Sequence, residues 1–151
     1  QTCALPILEA AWAMGPLSVQ GEYIRRNLDA DSDSYEDIKA KGYYAQVAYT
    51  LTGEARDYKL GRFDAVKPSN KQLGAWEVYY RYDHLEGDDA RVGIVGSQDD
   101  KAKVHNVGVN WYANENVRLS GMYVKAKLDN QENTAGDDSG DGIVFRAQYA
   151  F

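Results

Sequence analysis

Apolar and polar side chains alternate residue by residue through most of this 151-residue chain, in runs that stop at clusters of Gly, Pro, Asn or Asp. Period two is the spacing of a strand with two unlike faces, and it is incompatible with the 3.6-residue repeat of a helix. The runs cover Leu8 to Met14, Leu17 to Arg26, Gly42 to Gly53, Gly74 to Glu86, Val104 to Ala113, Val117 to Leu128 and Gly142 to Phe151. Seven consecutive runs of this kind predict an all-β, antiparallel up-and-down meander.

The two faces differ in kind. In the third run Tyr43, Ala45, Val47, Tyr49 and Leu51 point one way and Tyr44, Gln46, Ala48, Thr50 and Thr52 the other. The fourth sets Trp76, Val78, Tyr80 and Tyr82 against Glu77, Tyr79, Arg81 and Asp83. The last sets Ile143, Phe145, Ala147, Tyr149 and Phe151 against Val144, Arg146, Gln148 and Ala150. Strands of about ten residues with Tyr and Trp towards their ends suit a bilayer crossing. A mean hydropathy of -0.59 does not oppose this, because only alternate residues of a membrane barrel meet lipid. A soluble β-sandwich would use the same alternation to fill a core, but strand length and aromatic placement favour the membrane.

No apolar stretch reaches the roughly 18 residues of a spanning helix, and the start shows no signal peptide. Gln1 to Ile7 (QTCALPI) is what one frame of a common sequencing-adapter end would encode, so residues 1-7 are expected to be non-native and 8-151 to form the barrel domain. The only cysteine, Cys3, lies there, and a thiol-free remainder fits an oxidising envelope compartment.

Connections alternate in length. Gly15-Pro16 and Asn114 to Asn116 are tight, whereas Asn27 to Lys41, Gly87 to Lys103 and Asp129 to Asp141 are long and polar. Bacterial barrels have short periplasmic turns and long external loops. With an inward-running last strand, all three long segments fall outside. Glu54 to Leu73 breaks the pattern: it is long, yet on the periplasmic side.

GAWEVYYRYDHLE (Gly74 to Glu86), VGVNWYANENVRLSGMYV (Val107 to Val124) and FRAQYAF (Phe145 to Phe151) resemble the closing strands of the phosphate-selective porin O and P family, and LTGEARDYKLGRFDAVKP (Leu51 to Pro68) resembles the segment before them. The resemblance, from Leu17 to Phe151, implies a 16-stranded trimeric channel in the Gram-negative outer membrane, with about seven strands here, an open curved sheet as a fragment. It makes the long periplasmic connection a family feature. It also makes Phe145, Tyr149 and the terminal Phe151 resemble the signal read by the barrel assembly machinery.

Motifs for catalysis are lacking. His84 and His105 stand in no metal-ligand spacing, and no GxSxG elbow occurs. Asp29, Asp31 and Asp33 mimic the start of a calcium loop, but Ser34 and Ala40 replace the Gly and Glu it needs. The chain is therefore expected to be no enzyme and to need no cofactor, metal or nucleic acid.

Charge is unevenly divided. The three external segments hold 14 acids and five bases against a whole-chain net of -6, so the remainder is positive by three. Arg26, Arg81, Arg118 and Arg146 have inward parity with Glu77, Asp83 and Gln148, and these seven are the candidate pore-lining residues. Fixed cations beside a narrow aqueous path select anions. Pairing of Arg81 with Glu77 or Asp83 as a structural network is the competing account. The expected function is passive diffusion of small anions, with phosphate or polyphosphate implied by the resemblance alone. A general or cation-preferring porin and a non-conducting structural or adhesin barrel remain the alternatives. Arg25, Lys125 and Lys127 have outward parity at loop-side ends, where long cations can reach the headgroups of membrane lipids and lipopolysaccharide.

Overall fold

The computed structural model describes residues 7–28, 38–56, 58–59, 62–70, 72–89, 98–129 and 138–150; the side chains of 26–28, 38–39, 59, 62, 88–89, 98–100, 129 and 138 are outside that description. Its strands are β1 (Ile7–Met14), β2 (Leu17–Leu28), β3 (Ile38–Thr50), β4 (Tyr58–Lys59), β5 (Arg62–Phe63), β6 (Ala75–Asp89), β7 (Gln98–Tyr112), β8 (Val117–Asp129) and β9 (Asp138–Tyr149). Seven of them form one antiparallel sheet in the order β1-β2-β3-β6-β7-β8-β9, and β4 pairs only with β5. The sheet is the expected meander, open, with β1 and β9 at its edges. Ile7, placed in the non-native stretch by sequence, begins β1 opposite Ile24.

Turn-side strand ends fall within a residue of the sequence reading, except that β3 stops at Thr50 rather than Gly53 and β9 at Tyr149 rather than Phe151. Gly15 has φ 56° in the two-residue β1–β2 turn, which the first central position of a primed hairpin turn requires. Asn114 Oδ1 accepts the amides of Asn116 and Val117, both at 2.9 Å, and so closes the β7–β8 turn.

The loop-side ends need correction. Ile38–Lys41, Gly87–Asp89, Gln98–Lys103 and Asp138–Asp141 belong to strands rather than loops. Ladder hydrogen bonds continue there although the apolar and polar alternation has lapsed, so pairing outlasts the pattern that signals it. His84 and His105 lie within β6 and β7, as the runs that contain them predict. His84 stacks on Tyr43 with ring centroids 4.9 Å apart, and His105 Nδ1 is 2.8 Å from the Tyr80 hydroxyl.

Register separates the faces. Outward, Trp12, Tyr49, Trp76 and Trp111 stand towards the turn-side ends of their strands, Tyr23, Tyr43, Tyr80 and Tyr123 towards the loop-side ends, and Val47, Val107, Val109 and Leu119 share the face with them. Most of these stand 40% or more exposed, so the sheet has no soluble core on that side. From Leu51 to Tyr43 the band runs about 26 Å along the strand, at about 3.3 Å per residue, comparable with the apolar belt of a membrane barrel. Trp76 and Trp111 stack at 5.8 Å, and Trp111 Nε1 donates to the Leu73 carbonyl at 3.0 Å.

In the connection between β3 and β6 (residues 51–74), the described residues Arg56, Phe63 and Val66 reach back over the inward face. The ends of the connection are held together: Leu51 N donates to Trp76 O at 2.7 Å and Trp76 N to Thr52 Oγ1 at 3.2 Å. Val66, Ala75 and Tyr112 bury one another. Glu54 closes the base by accepting from Thr52 and from the amide and hydroxyl of Ser69 at 3.0 and 2.8 Å. Burial opposes ionisation of Glu54, but these hydrogen bonds outweigh it and hold the carboxyl at about 2 rather than 4.5. A lowered folded-state value means that this anchorage is full above about pH 4.5 and is lost as pH falls through about 2. Protease access to residues 51–74 is accordingly expected to rise only below about pH 4.5, whereas Glu54→Ala is expected to be cleaved readily at neutral pH. Equal cleavage of the two proteins at neutral pH would refute the role.

Candidate functional site

The inward face is concave. Side chains from β1 to β8 and from the folded-back connection line one cleft of about 490 Å³, among them Glu9, Arg56, Glu77, Tyr79, Arg81, Asn106, Asn110 and Arg118. Each strand contributes every second residue, and the register aligns them in rows: Gln148–Arg118–Tyr112 is one, Arg146–Ser120–Asn110–Glu77–Thr50 the next, and Asn106–Arg81–Gln46–Gln20 a third.

Three arginines meet in this cleft in three electrostatic settings. Arg56 reaches in from the connection with an 11% exposed side chain, its Nε 2.8 Å from Oε2 of Glu77, which is 1% exposed. That contact lacks hydrogen-bond direction and acts as an ion pair. Directed bonds go elsewhere: Arg56 Nη2 donates to Glu77 Oε1 at 3.1 Å and to the Tyr112 hydroxyl at 2.8 Å, and Asn110 Nδ2 donates to Glu77 Oε1 at 2.7 Å. Arg81 clasps Asp83 through Nε and Nη2 at 2.7 to 3.0 Å, with its guanidinium 3.9 Å over the Tyr44 ring. Asn106 Nδ2 donates to the same Asp83 at 3.0 Å.

Arg118 differs from both. Its Nε donates to Ser120 Oγ and its Nη2 to Asn110 Oδ1, each at 3.2 Å, so the partners of its guanidinium are neutral. The Tyr112 ring lies 5.6 Å away. Such a cation keeps its field for a passing ion, whereas Arg56 and Arg81 have theirs largely met by carboxylates.

Over residues 7–151 the chain matches the family described as phosphate-selective porin O and P. It belongs to that family. Porin O of Pseudomonas aeruginosa is 59% identical over 152 residues, which cover 95% of this chain and 34% of that protein. An uncharacterized protein of Caulobacter vibrioides is 38% identical over 63 residues, covering 39% of the chain and 12% of its own length. The chain thus spans about a third of the curated porin that it matches.

Within this porin O and P sheet, Glu77, Arg81 and Arg118 line the cleft, and Asp83 stands beside it as the partner of Arg81. Arg146 and Gln148 share the face but stand exposed on β9, opposite Ser120 and Arg118. Arg26 also has the inward register, opposite Ala40, but a row containing Ile24, Leu85 and Ala102 separates it from the cleft, and its side chain is outside the described residues. Arg81 takes Asp83 and not Glu77. Phe145 (82% exposed) and Tyr149 (67%) lie on the outward side of β9, and Phe151 falls outside the described residues. Asp29, Asp31 and Asp33 fall outside them too.

Arg56 escaped the sequence analysis, as did its partners Asn110 and Tyr112. A long charged connection on the short-turn side was the available signal, since such a segment needs somewhere to place its charges. Among the described residues no group of three His, Cys, Asp or Glu side chains is placed to hold a metal.

Proposed function

We propose that the full-length protein is an outer-membrane pore for passive diffusion of small anions, phosphate among them, and is not an enzyme. In this proposal the chain supplies seven strands of the wall of a 16-stranded, trimeric barrel, together with one inward-folded segment that narrows it. Family membership and the likeness to Porin O support a channel in that membrane. Arg118 carries the anion preference, because it stands in the cleft with neutral partners. A phosphate oxygen can take a guanidinium N–H without first breaking an ion pair there. Polyphosphate, as a string of the same groups, would meet the same cation. Phe145 and Tyr149 on the outward face, together with the terminal Phe151, serve as the signal for the barrel assembly machinery.

A specific observation favours a second reading. Glu9, Glu77 and Asp83 share the inward face with Arg56, Arg81 and Arg118, and a balanced wall suits a general or cation-preferring porin. Planar-bilayer recording of the full-length protein in a chloride gradient separates the readings. Anion-selective current reduced by low phosphate is expected, and Arg118→Glu is expected to move the reversal potential towards the cation side. A cation-leaning current indifferent to phosphate would support the second reading, and no current at all would leave a non-conducting barrel.

A further inference from the structure

Towards the loop-side strand ends, the outward face carries cations in opposed positions. Arg25 on β2 faces Lys41 on β3, and Lys103 on β7 faces Lys127 on β8. Lys125, two residues before Lys127 on the same face, stands opposite His105. Three lysines and a histidine therefore fill four adjacent places, spaced about 5 Å across the strands and about 7 Å along them. Like charges directly opposite one another destabilise a sheet, and here two such pairs occur at one end of one face.

Acids on the same face answer this only in part. Lys41 Nζ meets Glu86 at 2.6 Å, Glu86 also takes His84 at 2.9 Å, and Asp141 lies opposite Lys125. Lys103 and Lys127 make further contacts of their own. Among the residues with described side chains, Arg25, Lys41, Lys101, Lys103, Lys125 and Lys127 share this end of the face with the carboxylates of Glu86 and Asp141. Tyrosines just below set the height, since such residues mark the membrane–water interface. Arg25, Lys41 and Lys125 each stand two places to the loop side of a tyrosine on their own strands, and Lys127, opposite Lys103, follows Tyr123 by four, so these cations stand at headgroup level.

We propose that this belt binds the phosphate groups of a phosphorylated lipid in the leaflet on the loop side, with Lys103, Lys125 and Lys127 at its centre. The ligand chemistry is a phosphate monoester dianion, which several ammonium groups can contact at once without the planar fork that arginine would impose. A lipid is favoured over free phosphate because the belt continues the apolar, outward band and lies on the opposite side of the sheet from the Arg118 cleft. The inference rests on the membrane placement in the proposed function.

The test uses the full-length protein in nanodiscs made with a bis-phosphorylated glycolipid or with its dephosphorylated form. The wild type is expected to melt at a higher temperature in the phosphorylated discs. Combined Lys103→Gln, Lys125→Gln and Lys127→Gln are expected to weaken binding of the phosphorylated lipid at least about tenfold, because each cation near an anionic surface adds to the attraction. The corresponding triple Arg variant is expected to retain most of it, and conductance is expected to be unchanged in both. Inorganic phosphate added to dephosphorylated discs is expected to give no stabilisation. An undiminished lipid preference in the triple Gln variant, or full reproduction of the effect by inorganic phosphate, would overturn the belt. Failure of the wild type to enter discs would overturn the membrane placement as well, whereas normal entry without lipid preference would overturn the belt alone.

Discussion

Arg56→Ala is expected to destabilise the full-length porin by about 3 kcal/mol, the lower part of the range for removing one partner of a buried ion pair, and to enlarge its single-channel conductance. Glu77 is 1% exposed and would keep only Asn110 and Tyr112 as partners for its charge. The loss is not expected to be greater, because the cleft admits water on one side. Residues 51–74 would also lose the side chain that ties their middle to the wall, leaving Glu54 at the base and Val66 against Tyr112. Denaturant unfolding in detergent and bilayer recording measure the two effects. Pairing the change with Glu77→Gln is expected to recover part of the stability and none of the narrowing, since the stranded charge goes but the tether does not return. Unaltered conductance in Arg56→Ala would show that the segment is held without the ion pair.

Gly74→Ala is expected to cost about as much, for a different reason. Gly74 has φ 68°, a conformation that costs an L side chain about 1–2 kcal/mol by itself. A Cβ there would also meet the Tyr112 carbonyl at 2.5 Å and Trp111 Nε1 at 2.6 Å. The carbonyl belongs to the neighbouring strand and cannot swing aside, so either the entry to β6 shifts or the Trp111–Leu73 hydrogen bond breaks. A fall in the folded, heat-modifiable fraction on gels is the readout. Gly53→Ala is the control: φ is 91°, but nothing lies within 4 Å of the added carbon, so backbone strain alone is expected and the fall should be clearly smaller.

Strand number, order and faces could be read from the alternation because a sheet between lipid and water imposes it on every residue. Met14 and Leu17 closed the first hairpin within a residue of expectation for that reason. Legibility failed where the constraint lapsed: Lys39, Lys41, Lys101 and Lys103 continue strands, yet nothing in their polarity distinguishes a paired strand in water from a loop. Arg81 with Asp83 was foreseeable, since residues two apart on a strand share a face. Arg56 with Glu77 was not, because the pair exists only once residues 51–74 have folded inward, and no spacing records that.

The inward segment and the wall that it leans on come from different stretches of chain, joined among the described residues by the Arg56–Glu77 ion pair and by Val66 packed against Ala75 and Tyr112. In the proposed pore, a segment carried in this way can be exchanged, lengthened or re-charged while the staves around it keep their register and their outward face. Relatives can therefore diverge in what they admit without relearning how to stand in the membrane, and residues 51–74, rather than the strands, are where such divergence should concentrate.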